Sequence, residues 1–301
     1  MKILRFNDDR VGILKNGTNV VDVSGIIQYR EEKGPQRVME EIITNFEDYR
    51  KEFDRLCNGG SGMPLNVVKL LAPIPRPSKC LAAFVNYLDN PQRTPDTLPI
   101  EFFYKAPELL GPEGVVEIPD VPDVVVTQPE AELAFVMGPC GKSVPEESAL
   151  DAVFGYMPFF DVSSRGLVRR TQFIPKGQGT HSPCGPWITT KDEVPDPHNL
   201  VVKSWVSGEA RQNYNTGDMA HKIPELIAWL SRFLQLQPGD VVATGTYHVG
   251  LGPFNNGDVL EIEIEGLGKT RFHVKGAGPR KDADWLPGTS QPPKGAGVSK
   301  I

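Results

Sequence analysis

Glu130-Ala131-Glu132-Leu133-Ala134-Phe135-Val136-Met137-Gly138 is followed further along the chain by Phe159-Phe160-Asp161-Val162-Ser163-Ser164-Arg165. Residues i and i+2 of a strand share a face, so Glu130 and Glu132 project together into whatever that face lines. The apolar run Leu133 to Met137 reads as a buried strand that Gly138 ends. Asp161 is the candidate third carboxylate. Three carboxylates converging on one point repel, and a hard divalent cation is their natural partner: Mg²⁺, or else Mn²⁺ or Ca²⁺. By spacing alone, Glu-x-Glu on a strand is more often a solvated face. Ser143-Val144-Pro145-Glu146, between the two segments, fits a capping box opening a short helix through Leu150 and Val153. That helix would place the carboxylates on different elements.

Working outward, residues 2 to 23 alternate apolar and polar through Ile3, Leu4, Val11, Ile13, Val20, Val21 and Val23, with turn residues between the runs. This is an antiparallel meander. Val38, Ile42, Ile43, Phe46, Phe53 and Leu56 then recur at helical spacing up to Cys57-Asn58-Gly59-Gly60. Residues 1–70 read as a small N-terminal α/β domain with nothing catalytic in it. The connector Leu71 to Pro77 carries three prolines and cannot be helical. Cys80 to Val85 is a buried strand, and the Pro-rich loop Asn90 to Pro99 lies at its exit, as lids often do.

Later, Ile223, Leu226, Ile227, Leu230, Phe233 and Leu234 mark an amphipathic helix before Pro238-Gly239. Leu260 to Ile264 and Thr270 to Val274 form a closing hairpin. The stretch 279–301 is rich in Gly, Pro and Lys and reads as an extended or disordered tail after a body over 71–278. The fold class expected is α+β and strand-dominated.

The 301 residues, 39% hydrophobic and 23% charged with net charge -6, give no reason to expect nucleic acid or an anionic membrane as partner. Charges near Met1 interrupt any signal-peptide core, and no apolar run approaches the roughly 20 residues of a membrane span. Cys57, Cys80, Cys140 and Cys184 lack CxxC spacing, so reduced thiols in a cytoplasmic protein are expected.

The order of short motifs from about Cys80 to Val274 resembles the fumarylacetoacetate hydrolase family. It comprises Asn86-Tyr87, Phe102 to Lys105 with Gly111-Pro112, the Glu-x-Glu strand, Gly155-Tyr156, Asp161 to Arg165, Lys176, Gly185-Pro186-Trp187, Pro238-Gly239-Asp240, Thr244-Gly245-Thr246 and Gly257-Asp258. The resemblance implies a mixed β-sandwich roll as catalytic domain, a homodimer, and Glu130, Glu132 and Asp161 as metal ligands. It implies Lys105, Lys176 and His181 as catalytic residues and Tyr87, Arg165, Thr246 and His248 as substrate contacts, with His181 and His248, in loops brought near the site, both open as the base. The implied substrate is a small 2-oxo or diketo acid of acylpyruvate type, cleaved at a C–C bond. His221, in the amphipathic segment, is expected to be structural.

The departures from the family pattern carry their own expectations. Asn90 and Arg93 stand where family hydrolases have a water-activating His and Glu, and Asn does not titrate while Arg stays protonated. Decarboxylation or keto–enol exchange is therefore expected to outrun hydrolysis unless His181 or His248 supplies the base. A non-catalytic 2-oxo acid binder is a further alternative. Phe160, Gly166 and Val168 replace polar family residues, implying a less polar pocket or another substrate. Loss of Asp161 is expected to abolish metal binding and leave the fold intact.

Overall fold

A computed structural model describes residues 1–27, 34–167 and 171–276. The tail expected over 279–301 lies outside these residues, as does Val168. The chain opens with the expected meander, β1 (Lys2–Phe6), β2 (Arg10–Lys15) and β3 (Asn19–Asp22). The helical spacing from Val38 to Leu56 resolves into two helices, α1 (Gly34–Thr44) and α2 (Phe46–Gly59). They part at Asn45, whose φ of -113° and ψ of 32° leave the helical region. Two short strands follow, β4 (Met63–Pro64) on β3 and β5 (Leu70–Leu71) on β1.

The remainder comprises β6 (Cys80–Ala83), β7 (Phe102–Tyr104), β8 (Val115–Ile118), β9 (Val126–Met137), β10 (Val153–Arg165), α3 (Phe173–Lys176), β11 (Ile188–Thr190), β12 (Val201–Val206), β13 (Glu209–Asn215), α4 (Ile223–Phe233), β14 (Val241–Ala243), β15 (Val259–Ile264) and β16 (Gly268–Gly276). One sheet runs β4-β3-β2-β1-β11-β10-β9-β14-β6-β7, with β5 beside β1, and a second runs β13-β12-β15-β16-β8. Both are mixed: β14 runs parallel to β6, and β16 parallel to β8. The N-terminal meander is continuous with the larger sheet, because Ile3 of β1 pairs with Ile188 of β11. In the expected hairpin, Leu260 faces Phe272 and Ile262 faces Thr270.

The capping box does not form. Ser143 takes a positive φ of 56°, and residues Glu146–Ala152 wind as a 3-10 helix whose N-cap is Pro145. Proline has no side-chain acceptor to offer there, so that helix start is fixed by packing rather than by a cap.

The two longest strands, β9 and β10, are buried along their whole length, because each face meets a different layer. On one side Leu133, Phe135, Phe160 and Val162 pack with Val202, Leu260, Ile262 and Phe272 of the second sheet and with Ile223 and Ile227 of α4. On the other, Ala134, Val136, Met157 and Phe159 pack with Met39, Ile42, Phe46 and Phe53 of α1 and α2. Burying each large apolar side chain contributes about 1.5–3 kcal/mol, enough for these clusters to fix the register of both strands. Alternation then decides the site. Glu130 and Glu132 share a face with Ala134 and Val136, and Asp161, Ser163 and Arg165 with Met157 and Phe159, so the helix-covered face turns from apolar to ionic toward one end.

Candidate metal centre and active site

Asp161 pairs directly with Glu130 across the β9–β10 ladder, and Glu132 faces Phe159. Directly opposed residues of an antiparallel pair have Cβ atoms about 4.5–5.5 Å apart, which delivers a third carboxylate to the Glu130–Glu132 face. One oxygen from each of Glu130, Glu132 and Asp161 lies within 4.8 Å of the others, and all three side chains are buried.

Cations surround this cluster. Lys105 Nζ donates to Asp161 Oδ1 at 2.6 Å and to the Val162 carbonyl at 3.3 Å. Lys176, delivered by α3, donates to Glu130 Oε2 at 2.8 Å and to Asp161 Oδ2, and its ammonium stands 4.8 Å from the Phe103 ring centre. Arg165 donates through Nη2 to Glu130 Oε1 and through Nε to Gln128 Oε1 at 2.8 Å. Ser163 adds a hydroxyl donor to Glu130 Oε1 at 3.0 Å.

Burial disfavours charge on Glu130, but Lys176 and Arg165 outweigh it and hold the carboxyl far below the ordinary range. Glu132 goes the other way: burial, then Asp161 and Glu130 beside it, push its carboxyl well above the ordinary value. Its Oε2 accepts from Gly245 N at 2.8 Å, while Oε1 is buried with no partner among the described residues. A buried carboxylate oxygen without a donor, next to two more carboxylates, fits an oxygen-seeking divalent cation. Gly245 is required for this placement. It holds φ at +91°, and a Cβ there would stand 3.1 Å from Asn86 Cβ.

Burial lowers the Lys105 ammonium's affinity for its proton despite Asp161, whereas at Lys176 burial acts the same way but Asp161 and Glu130 outweigh it and raise the affinity. Lys105 is held by Asp161 and is not among the residues that line the cavity beside the cluster. That cavity, of about 140 Å³, is lined by Phe84, Val85, Arg93, Glu130, Glu132, Arg165, Lys176, Thr246 and His248 among others.

Several residues expected at the site are placed otherwise. Tyr87 is fully buried among aromatic rings, 5.1 Å from Tyr214 and 6.4 Å from Tyr247 between centres, and does not line the cavity. Thr246 does line it, but its hydroxyl donates to the Ala131 carbonyl at 2.7 Å and accepts from Gln212 Nε2 at 2.8 Å. His181 is buried away from the cavity with Nε2 3.2 Å from the Glu117 carbonyl. His221 precedes α4 instead of sitting within it, and its ring nitrogens meet Glu225 Oε1 at 2.8 Å and the Leu98 carbonyl at 2.6 Å. It thereby ties the proline-rich loop to α4.

The departures also resolve. Phe160 lies on the opposite face of β10 from Asp161, in contact with Phe272 at 6.1 Å between rings, so it leaves the polarity of the cavity unchanged. Gly166 takes φ +101°, and a Cβ there would fall 2.1 Å from the Asp123 carbonyl oxygen, so this backbone path excludes any side chain. Asn90 is exposed and accepts from Gln92 N within its turn.

The residue that sequence reading missed is Asp89. Its Oδ2 accepts from His248 N at 2.7 Å and lies 2.6 Å from His248 Nδ1, and its Oδ1 is paired with Arg93. Burial opposes ionisation of Asp89, yet the His248 hydrogen bonds and the Arg93 charge hold its carboxyl below the ordinary value.

Burial, and Lys105 nearby, push His181 down to about 3. Its folded pKa is thus depressed below that of the unfolded chain, near 6.5. The unfolded chain binds the proton first, so this contribution to stability is complete above pH 6.5 and is lost as pH falls toward 3. Between pH 7.5 and 5.5 the unfolding free energy in urea, with chelator present, should fall by about 1.4 kcal/mol more in the wild type than in His181→Gln. An equal fall in both would mean the ring protonates while folded.

The family model described as fumarylacetoacetate (FAA) hydrolase, C-terminal, matches residues 79–275. A mitochondrial oxaloacetate tautomerase of Xenopus laevis is 34% identical over 288 residues, covering 89% of this chain and 88% of its own. A maleylpyruvate hydrolase of Aquipseudomonas alcaligenes is 32% identical, covering 91% of this chain and 99% of its own. Among solved structures, maleylpyruvate hydrolase from Sphingobium sp. SYK-6, in complex with manganese(II) and pyruvate, superposes with a TM-score of 0.83 at 35% identity over 92% of this chain and all of that one. The motif order, the carboxylate cluster on paired strands and these matches along most of the sequence agree: the chain belongs to the fumarylacetoacetate hydrolase family.

Proposed function

We propose a divalent-metal-dependent enzyme that cleaves a C–C bond of an acylpyruvate-type 2-oxo acid by hydrolysis. The observation that carries this reading is the meeting of three buried carboxylates within 4.8 Å, two of which, Glu130 and Glu132, line one cavity together with Arg165 and Lys176. A divalent cation held by Glu130, Glu132 and Asp161 supplies a Lewis acid for negative charge building on the 2-oxo group. Mg²⁺ is the proposed ion in the cell, with Mn²⁺ as the substitute suggested by the Sphingobium structure. Arg165 and Lys176 contribute charge-assisted donors for the substrate carboxylate. Lys105 and the Gly245 amide hold Asp161 and Glu132 in place.

Keto–enol exchange of an oxaloacetate-type acid is the second reading. It is favoured by the tautomerase relative and by the exposed, non-titrating Asn90 in the loop after β6. A panel of acylpyruvates and oxaloacetate, with Mg²⁺ or Mn²⁺ added and products identified, separates the two. Pyruvate and a second acid should appear from an acylpyruvate and vanish with chelator. Enol–keto relaxation of oxaloacetate without any cleavage on the panel would select the second reading.

We also propose a homodimer in a reducing, cytoplasmic setting, in keeping with four free cysteines. Light scattering should give twice the 33.1 kDa of one chain, and a monomer mass at micromolar concentration would refute the dimer.

A further inference from the structure

We infer that His248, held by Asp89, is the base that takes a proton from water in this site. The assignment rests on the hydrolytic reading above, and its argument is geometric. His248 lines the cavity that Glu130, Glu132, Arg165 and Lys176 also line. It comes from the loop after β14, whereas Asp89 comes from the loop after β6, two neighbouring parallel strands whose ends open on the same edge. Asp89 grips His248 twice, at the backbone N and at ring Nδ1, and is itself tied to Arg93. The side chain of Asp89 is 2% exposed, so this carboxylate is a built part of the interior.

A carboxylate at 2.6 Å from Nδ1 accepts a hydrogen bond, which fixes the proton of the neutral ring on Nδ1. Arg93 Nη1, at 3.3 Å from the same nitrogen, can only donate, and the shorter carboxylate contact decides the tautomer. Nε2 is then the unprotonated nitrogen, and it has no hydrogen-bond partner among the described residues. This is the arrangement of a general base oriented by a carboxylate. His181 lacks it, because it is shut away from the cavity against Glu117.

The step balances as follows. His248 Nε2 accepts a proton from water while the water oxygen bonds to the acyl carbon of the substrate. The C–C bond between that carbon and the pyruvate side then breaks, its electron pair staying on the pyruvate-side carbon. The proton on His248 passes to that carbon, giving one carboxylic acid and one pyruvate and restoring the neutral ring. Arg93 cannot take this role, since a guanidinium does not give up its proton.

His248→Gln should lower kcat for acylpyruvate hydrolysis by about 10²- to 10⁴-fold, the usual contribution of a positioned base. KM and calorimetric Mn²⁺ affinity should stay within about threefold of wild type, which a role as metal ligand or substrate anchor would not allow. Asp89 acts as a positioning residue. Asp89→Asn should lower kcat less and should shift the ring tautomer, read by nitrogen-15 NMR of labelled histidine with the His248 signal assigned from the Gln variant. An active wild type whose Gln variant keeps kcat within about twofold overturns this assignment alone, as does a wild-type ring protonated on Nε2 when neutral. A wild type inert toward every acylpyruvate overturns the hydrolytic reading and this assignment with it.

Discussion

Replacing Asp161 with asparagine is expected to weaken Mn²⁺ binding by about 100-fold or more, since even removing a residue that only supports a metal ligand typically costs about 10- to 100-fold. Asparagine keeps the shape and one acceptor oxygen, so Lys105 retains a partner at the position of Oδ1. It presents an amide nitrogen where Asp161 Oδ2 now meets Lys176, and Lys176 is left with Glu130. The alanine variant is expected to behave differently from what the carboxylate pattern alone suggests. Two buried ammonium groups depend on Asp161, and stripping one partner from a buried ion pair costs about 3–5 kcal/mol. Asp161→Ala should therefore lose stability in urea as well as metal, while Asp161→Asn separates the two effects. Unchanged Mn²⁺ affinity in the asparagine variant, measured by calorimetry, would remove Asp161 from the ligand set.

Those two lysines mark where sequence reading stopped. Glu130 and Glu132 are legible together because their spacing is that of one strand face, and the apolar run after them gives the strand away. That Asp161 stands opposite Glu130 is a matter of ladder register, which the β9–β10 pairing sets through residues on both sides and no local pattern announces. Phe160 shows the cost of matching positions without faces. As a replacement for a polar residue it suggested a drier pocket, but one step along a strand from Asp161 is the other side of the sheet. The break between α1 and α2 and the failed capping box are local misreadings, in which packing overrode a plausible pattern at Asn45 and at Ser143. The Asp89–His248 pair lies 159 residues apart in the chain and comes together only because β6 and β14 are neighbours. Asn90 and Arg93 drew attention to the right loop, where Asn90 is exposed while Arg93 lines the cavity and pairs with Asp89.

Lys176→Met is expected to move metal and substrate affinity in opposite directions. The Lys176 ammonium lies between Glu130 Oε2, at 2.8 Å, and Asp161 Oδ2, two of the oxygens proposed to take the metal. A divalent cation at those oxygens meets a neighbouring positive charge. At an effective dielectric of about 20, two unit charges about 4 Å apart interact by about 4 kcal/mol, and relieving a third of that is worth about tenfold in affinity. Loss of the ammonium also removes the support that keeps Glu130 ionised, which would weaken metal binding. Arg165 and Ser163 still donate to Glu130 Oε1, so that carboxylate keeps its charge and the relief of repulsion wins. Methionine preserves the apolar stem against Phe103. Calorimetry should show Mn²⁺ bound about tenfold more tightly. KM for an acylpyruvate should rise about 10- to 100-fold, since a hydrogen bond to a charged group contributes about 1.5–3 kcal/mol. Weaker Mn²⁺ binding in this variant would show that Lys176 serves to keep the carboxylates ionised, and an unchanged KM would take it out of contact with the substrate.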